Sequence, residues 1–443
     1  MTKKFKALQI KRQFIADKFV IGIDPASAKH QATILGSNGM QLTTPFSFAN
    51  NFNGYAKLIK KIKQHIKDVN DEQIVFAIET SCNLWTTLSF YLHKRGFKVL
   101  LVSPLTTKNS RPMLSHDFSR TDPKDALLVA SNAQQGFYDE YLDFPDEVKA
   151  MHKLSITYDK LRKNYVQQRT RIHAQINRLF PEFFHVLNLD TKTAMYLLQK
   201  YFLPSHFLNM DIKKEAREIN CISRGNYNQG TLEQLQNLAE NSIGIRLDSY
   251  EEKTERLILD TWLNLLEMVE RQMQQVLNEL IVLAEKTPYM SILTSIKGIN
   301  KKMAALFIAE TRQLKDFSHY KQLEKYAGYN LRQSQSGNYV GSRHINHIGN
   351  KRLSWILYRM TEETVKHVAE VRVKFIKRQL QKRKYRKNIV ACSSNLLKLI
   401  MALVRDNRTY ELRDNGFYER LFVLEKEYRK IKSLDKIRYG NVG

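Results

Sequence analysis

The chain has 443 residues, more than one ordinary domain holds, and its 43% hydrophobic and 10% aromatic content suffices for a sizeable core. Its 71 Lys and Arg against 44 Asp and Glu leave a formal charge of +27. Such a field attracts polyanions, nucleic acid foremost, with a membrane surface or an acidic protein as the rival. Cys82, Cys221 and Cys392 are far apart and form no CxxC pair, which argues against a disulfide framework or zinc ribbon and fits a reducing cytoplasm. There is no GxxxxGK[ST], HExxH or GxGxxG, so ATP, metalloprotease and dinucleotide chemistry lose support.

The basic segment Met1 to Lys18 lacks the apolar stretch of a signal peptide. Phe19 to Ile23 is then an apolar run ending at Asp24. His30 to Leu35 alternates, Ser37-Asn38-Gly39 reads as a turn, and Gln41 to Phe48 is expected as a third strand. Phe52, Tyr55, Leu58, Ile59, Ile62 and Ile66 keep helical spacing behind a capping Asn. Ile74 to Ile78 reads as a buried strand ending at Glu79, Leu84 to Leu92 as a helix and Lys98 to Val102 as a strand. Pro123 opens a helix through Asp125, Leu128 and Val129. The order β-β-β-α-β-α-β-α is that of an RNase H-like domain.

From Val148 the spacing becomes that of long helix, through Met151, Leu154, Tyr158, Leu161, Tyr165, Ile172, Ile176 and Leu179. A second seam runs through Trp262, Leu266, Val269, Met273, Val276, Leu280 and Leu283. Two such seams predict an antiparallel coiled hairpin, or helices paired between protomers. Pro181 to Tyr250 between them reads as irregular and mostly helical. After Thr287 a smaller helical region holds a polar loop from Asn330 to Asn350 and two or three C-terminal helices. The run from Leu396 to Val404 is interrupted by Lys398, and no stretch reaches the ~18 apolar residues that span a bilayer. The expected fold class is α/β plus α: a domain over 1–140, a helical coiled-coil region over 145–286, and a mostly helical C-terminal domain over 287–443.

Asp24 and Glu79 each end a predicted strand, where ligands of open α/β sheets gather. Asp122 and Asp125 start a helix three apart, so their side chains can face one way. Four carboxylates in one crevice repel unless cations neutralise them. Mg²⁺ suits such a site, binding a few carboxylates and substrate phosphate oxygens. Two ions about 4 Å apart would activate an attacking oxygen and stabilise a leaving one. Each acid also has a plainer reading, as a turn former or, for Asp122, an N-cap before Pro123.

Around these acids and in its C-terminal part, the sequence resembles the DEDD/serine transposases of bacterial insertion sequences, the IS110 family of bridge-RNA-guided recombinases. The N-terminal resemblance rests on Ile21-Gly22-Ile23-Asp24, Ala77-Ile78-Glu79-Thr80 and Arg120-Thr121-Asp122-Pro123-Lys124-Asp125-Ala126, the last similar to a K-T-D-x-x-D-A motif with Arg120 in place of Lys. The C-terminal resemblance rests on Ile296-Lys297-Gly298-Ile299, Tyr326-Ala327-Gly328, Ser336-Gly337 and Gly349-Asn350-Lys351-Arg352-Leu353. The resemblance implies a RuvC-like domain with an acidic tetrad and a C-terminal transposase domain with a nucleophilic serine that forms a covalent link to a DNA phosphate. It further implies a structured guide RNA that pairs with donor and target DNA, and a homo-oligomer, dimer or tetramer, with composite sites from different protomers.

By the same resemblance the nucleophile falls within Leu331 to Gly337, with Ser336 the first choice and Ser334 the reserve. Asn330 stands where relatives often have Pro, and Tyr339 is a nearby alternative. A serine hydroxyl needs a base or metal to take its proton. Between Leu331 and Leu353 there is no acid, while Arg332, Arg343 and Lys351 offer positive charge. Ile296 to Asn300 resembles a helix-hairpin-helix turn, which binds phosphate through its backbone. Asn300 stands in that turn in place of a second Gly and tolerates a left-handed conformation better than most residues, and a helix C-cap is the alternative reading. Lys297, Gly298, Arg332, Arg343, Lys351 and Arg352 are therefore candidate nucleic-acid contacts. So are Lys377, Arg378, Lys382 and Arg383 in the basic run from Lys374 to Lys387, where few acids compensate. His344 and His347 are three apart and lack further zinc ligands. A RuvC-type junction nuclease and a non-catalytic nucleic-acid scaffold are the competing functions.

Overall fold

The apolar runs that end in acids are strands, and they organise the first of two units, Met1–Phe144 and Pro145–Gly443. The computed structural model describes the chain except residues 1–2, 67–68, 116–121, 333–334, 337–338, 342–343, 347, 412–415 and 440–443. The first unit contains α1 (Lys3–Ile15), β1 (Phe19–Asp24), β2 (Lys29–Leu35), β3 (Phe46–Ala49), α2 (Phe52–His65), β4 (Ile74–Glu79), α3 (Thr86–Lys94) and β5 (Lys98–Val102). It continues with α4 (Pro104–Ser110), α5 (Pro112–Ser115), α6 (Asp122–Gln134) and β6 (Asp139–Glu140).

The strands form one sheet in the order β3-β2-β1-β4-β5-β6. β1 pairs antiparallel with β2 and parallel with β4, and β4 pairs parallel with β5. This mixed sheet is consistent with the RNase H-like domain expected. Both faces are covered, which is why β1 and β4 read as unbroken apolar runs. Ile21, Ile23, Phe76 and Ile78 pack with Leu58 and Ile62 of α2 and Leu88 and Leu92 of α3. Val20, Val75, Ala77 and Leu100 pack with Ile15 of α1 and Val129, Ala130 and Ala133 of α6. The third strand is shorter than expected, starting at Phe46 instead of Gln41. Pro45 has no N–H for the ladder. Upstream of it, the Thr43 hydroxyl accepts from Ile34 N (3.3 Å) and Leu42 N donates to Ile34 O (2.9 Å).

The second unit begins with α7 (Asp146–Leu179), followed by α8 (Phe183–Val186), α9 (Lys192–Lys200), α10 (Pro204–Leu208), α11 (Ile212–Ser223), α12 (Gln229–Glu240) and α13 (Ser249–Glu285). The two long helices, α7 and α13, run antiparallel. Gln175, near the end of α7, donates to the carbonyl of Glu255, near the start of α13 (2.8 Å). At the opposite ends Met151 and Tyr158 share a core with Leu277 and Leu280. Each end of the pair thus has its own core. Ile172, Ile176, Leu263 and Leu266 pack with Phe183, Leu197, Phe207, Ile219 and Leu235 of the intervening helices.

At the other end lie α14 (Tyr289–Thr294), α15 (Lys301–Thr311), α16 (Tyr320–Tyr326), the short strands β7 (Leu331–Arg332), β8 (Gln335–Ser336), β9 (Tyr339–Val340) and β10 (His344–Ile345), then α17 (Lys351–His367), α18 (Ala369–Leu380), α19 (Tyr385–Arg405) and α20 (Phe417–Tyr439). Against the sequence expectation, α19 is long and apolar enough to cross a membrane by length and composition. Half of its most apolar window is buried, and Ile389, Leu396, Leu397 and Ile400 belong to the core.

Candidate functional site

Sheet register fixes two of the expected acids. Ile23 pairs with Ile78 across β1 and β4, so Asp24 and Glu79 leave neighbouring parallel strands at the same carboxyl edge, where an open sheet places its ligands. Thr80 N donates to Val102 O (3.0 Å), keeping the end of β4 fastened to β5. Glu79 is buried.

The third acid arrives on α6. Gly22 of β1 makes this possible: a Cβ there would overlap the carbonyl of Ala126 and come within 2.6 Å of the Ala130 Cβ. Without one, α6 lies directly on β1. Asp125 is 2% exposed, and Arg111, between α4 and α5, grips it with both edges of its fork, Nε at 3.0 Å and Nη2 at 2.9 Å. These bonds hold the guanidinium pKa above its ordinary value despite burial, and the charges of Glu79 and Asp24 add to the effect. Arg111 thus binds Asp125 directly and feels the charges of Asp24 and Glu79. Asp122 is the first residue of α6 and is exposed.

These are hard oxygen donors of the kind Mg²⁺ takes. Among the described residues, however, no three acids, histidines or cysteines are placed to hold a metal ion. Asp125 is turned toward Arg111. Sequence reasoning missed Arg111 because nothing in its local pattern marks it as facing the acids.

It also missed His30, which is buried on β2 with its Nδ1 accepting from Ala26 N (3.1 Å). That bond ties the turn after Asp24 back to the sheet. Burial lowers the His30 pKa against an opposing bond with Asn50, so the ring is neutral and can accept.

In the second unit the segment read as a polar loop is partly paired. β7 pairs with β10, Arg332 opposite His344, and β8 pairs with β9, Ser336 opposite Tyr339. Ser336 and Tyr339 form the last described rung of that ribbon. Ser334, Gly337, Arg343 and His347 lie outside the described residues. Arg332 is exposed.

The turn at Ile296 to Asn300 departs from expectation at one residue. Gly298 does adopt a positive φ of 96°, and a Cβ on it would stand 2.9 Å from the backbone of Glu363 in α17. Asn300 is not left-handed. Its φ is −85° and it caps α15, Oδ1 accepting from Met303 N (2.9 Å). Lys297 is exposed.

The basic run divides in two. Lys374 donates to Ser394 Oγ (2.7 Å) and Arg378 to Asn388 Oδ1 (3.1 Å), bracing α18 against α19. Lys377, Lys382 and Arg383 are exposed.

Comparison with known proteins accounts for both regions. A model of DEDD transposases of IS110 type, described as transposase, matches residues 21–181. A second, described as transposase of the IS116/IS110/IS902 family, matches residues 290–376. Together they cover more than half of the chain. An uncharacterised 43.6 kDa protein of the insertion element IS110 from Streptomyces coelicolor is 20% identical over 307 residues, spanning 67% of this chain and 73% of that protein.

Proposed function

The chain belongs to the IS110 family of DNA transposases, and from that premise we propose that it cuts and rejoins DNA using Asp24, Glu79, Asp122 and Asp125 with Mg²⁺, and Ser336 as nucleophile. The observation that supports the acid site most is the register that brings Asp24 and Glu79 to one sheet edge, beside an Arg111 that binds Asp125 and feels the charge of both. The acids would hold Mg²⁺, as two ions, and the metal would supply Lewis-acid stabilisation of phosphate oxygens.

Ser336 Oγ would attack a DNA phosphorus as its own proton leaves. The phosphorus–oxygen bond to one deoxyribose would break, and that oxygen would depart as a hydroxyl after taking up a proton. A phosphoserine ester would remain until the hydroxyl of an incoming strand attacks it and restores the serine. Arg332, Arg343, Lys351 and Arg352 would balance phosphate charge, while Lys297 and Gly298 would meet backbone phosphate. Lys377, Arg378, Lys382 and Arg383 would add nucleic-acid contacts, the exposed three being the better placed. A structured guide RNA from the element would select donor and target DNA, and the protein would work in the cytoplasm, on the nucleoid, as a homo-oligomer.

The test is a denaturing gel of protein incubated with guide RNA, donor and target DNA, and Mg²⁺. The wild type should show a protein–DNA adduct that is lost in Ser336→Ala. Asp24→Asn, Glu79→Gln and Asp125→Asn should each lower recombination by ~10²-fold or more, the scale on which charge-stabilising groups act. Near-normal recombination in any two of these would overturn the metal assignment. An adduct that survives Ser336→Ala but vanishes in Ser334→Ala would move the nucleophile two residues upstream. Cleavage with no adduct would indicate a junction nuclease.

A further inference from the structure

Helix α15 is apolar and buried from Ala304 to Ala309, and its next residue is an acid with no exposed side-chain surface, Glu310. Helix α7 and the capped start of α17 supply its donors. Ser155 Oγ of α7 donates at 2.7 Å, Asn350 Nδ2 at 2.6 Å and Arg352 Nε at 2.7 Å. His152 lies 4.0 Å away and is bonded to the carbonyl of Ala309 (3.3 Å). Burial pushes the Glu310 pKa upward, but the bonds from Arg352, Asn350 and Ser155 outweigh it and keep the carboxyl below the ordinary glutamate range. The group is an anion in the interior.

Two of the donors, Asn350 and Arg352, follow the ribbon that carries Ser336 directly in the chain. Asn350 caps α17, its Oδ1 accepting from Arg352 N (3.0 Å) and Leu353 N (3.1 Å), while its own N–H donates to Tyr326 O (2.7 Å). Beside it, Gly349 runs so close to the other stem that a Cβ would come within 2.6 Å of Tyr326 O. Asn346 N donates to Asn330 O (2.9 Å) above that point. The two stems of the segment are thus clasped together and fastened to Glu310. Arg352 uses Nε inward, remains 29% exposed, and makes no hydrogen bond through its terminal nitrogens among the described residues.

We propose that Glu310 is a positioning residue for transposition: through Asn350 it fixes the stem of the Ser336 ribbon, and through Arg352 Nε it aims the outer edge of that guanidinium at a phosphate of the bound DNA. The inference rests on the reading of Ser336 as nucleophile. An arginine can serve both partners because its fork has two edges, whereas a lysine offers one point charge.

The experiment is a salt titration of full-length protein binding to a mixed-sequence DNA duplex, with thermal melting of each variant alongside. Arg352→Gln should lower the log–log salt slope by about 0.9, the loss of one phosphate contact. Arg352→Lys should lose the same contact although the charge is kept, because Glu310 holds the single ammonium. Glu310→Gln should reproduce the loss with every cation still present. Since Arg352→Gln strands a buried carboxylate, the double variant Glu310→Gln/Arg352→Gln is the control for folding. It should melt near the wild type and still lack the contact.

Wild-type slopes in folded Arg352→Lys and in the double variant would overturn the inference. So would a slope change seen with the guide RNA but not with DNA. The serine-dependent adduct is scored separately. If it fails to depend on any serine of the ribbon, the nucleophile assignment falls while the slope result still decides the role of Arg352.

Discussion

Two arginine–carboxylate pairs, one in each unit, look alike in isolation and differ in their surroundings. Asp125 with Arg111 and Glu310 with Arg352 each set a carboxylate of at most 3% side-chain exposure against one guanidinium. Around Glu310 the remaining donors are neutral side chains, Ser155 and Asn350. Around Arg111 the additional neighbours are acids, for Asp24 and Glu79 press on the same cation from the strand ends. A balanced knot of charge fixes geometry. An accumulation of like charge at a sheet edge is costly to a fold and useful to a reaction that recruits cations. The surroundings of a pair, more than the pair itself, indicate its use.

The sharpest way to break this comparison is to remove the cation at each centre. Arg111→Gln removes the two-pronged cation from a buried Asp125 and should lower stability by up to about 3–5 kcal/mol, the cost of breaking a buried ion pair. Added Mg²⁺ should restore part of that loss, read as a rise in melting temperature, because ligands that bind the folded state stabilise it. Arg352→Gln should show no such rescue. An equal Mg²⁺ response at both centres, or at neither, would erase the distinction.

A smaller effect probes how the acids are brought together. Gly22→Ala should force α6 away from β1 and cost ~1–3 kcal/mol, the usual range for overpacking. It should also lower recombination more than a surface variant of equal stability does, since Asp125 moves with the helix. Activity that tracks stability alone would show that the close approach serves only packing.

The smallest expected effect concerns pH. Burial lowers the folded pKa of His30 below its ordinary 6.5. As pH falls through that ordinary value the unfolded chain takes up a proton and the folded one does not. The stability held in the neutral ring is therefore complete above 6.5 and is lost as pH falls from there toward the folded value. In denaturant titrations across this window His30→Gln should show a flatter dependence than the wild type. An unchanged profile would place the titrating group elsewhere.

The two strand-end acids were legible in the sequence because burial marks their strands. Phe19 to Asp24 and Ile74 to Glu79 are apolar because both faces are covered, and each ends in the acid expected there. The third strand was misjudged at its start because alternation continued through Pro45, where the ladder lacks a donor. Arg111 was invisible: its partner is fourteen residues away, and the short helices around it have no strong apolar period. Glu310 did leave a signal, an acid directly after the run Ala304 to Ala309, though not the identity of its partners on α7 and α17. Asn300 was read as a left-handed substitute for glycine, whereas its side chain serves as an N-cap, the commoner use of Asn before a helix.

The antiparallel pair α7 and α13 carries a consequence for how this chain can change length. Glu255 accepts from Gln175 through both its carbonyl and its carboxylate, each at 2.8 Å, and also pairs with Arg178. The far ends of the two helices are therefore latched by their own side chains, below the helices α8 to α12 that connect them. Those connecting helices gather around Phe183, Leu197, Phe207 and Leu235, a core separate from the one beneath the Ser336 ribbon. The connector is therefore no passive loop: Ile172, Ile176, Leu263 and Leu266 of the helix pair are buried against it, so a longer or shorter connector must rebuild that packing. The core at the opposite end of the pair draws no residue from α8 to α12 and is spared the exchange.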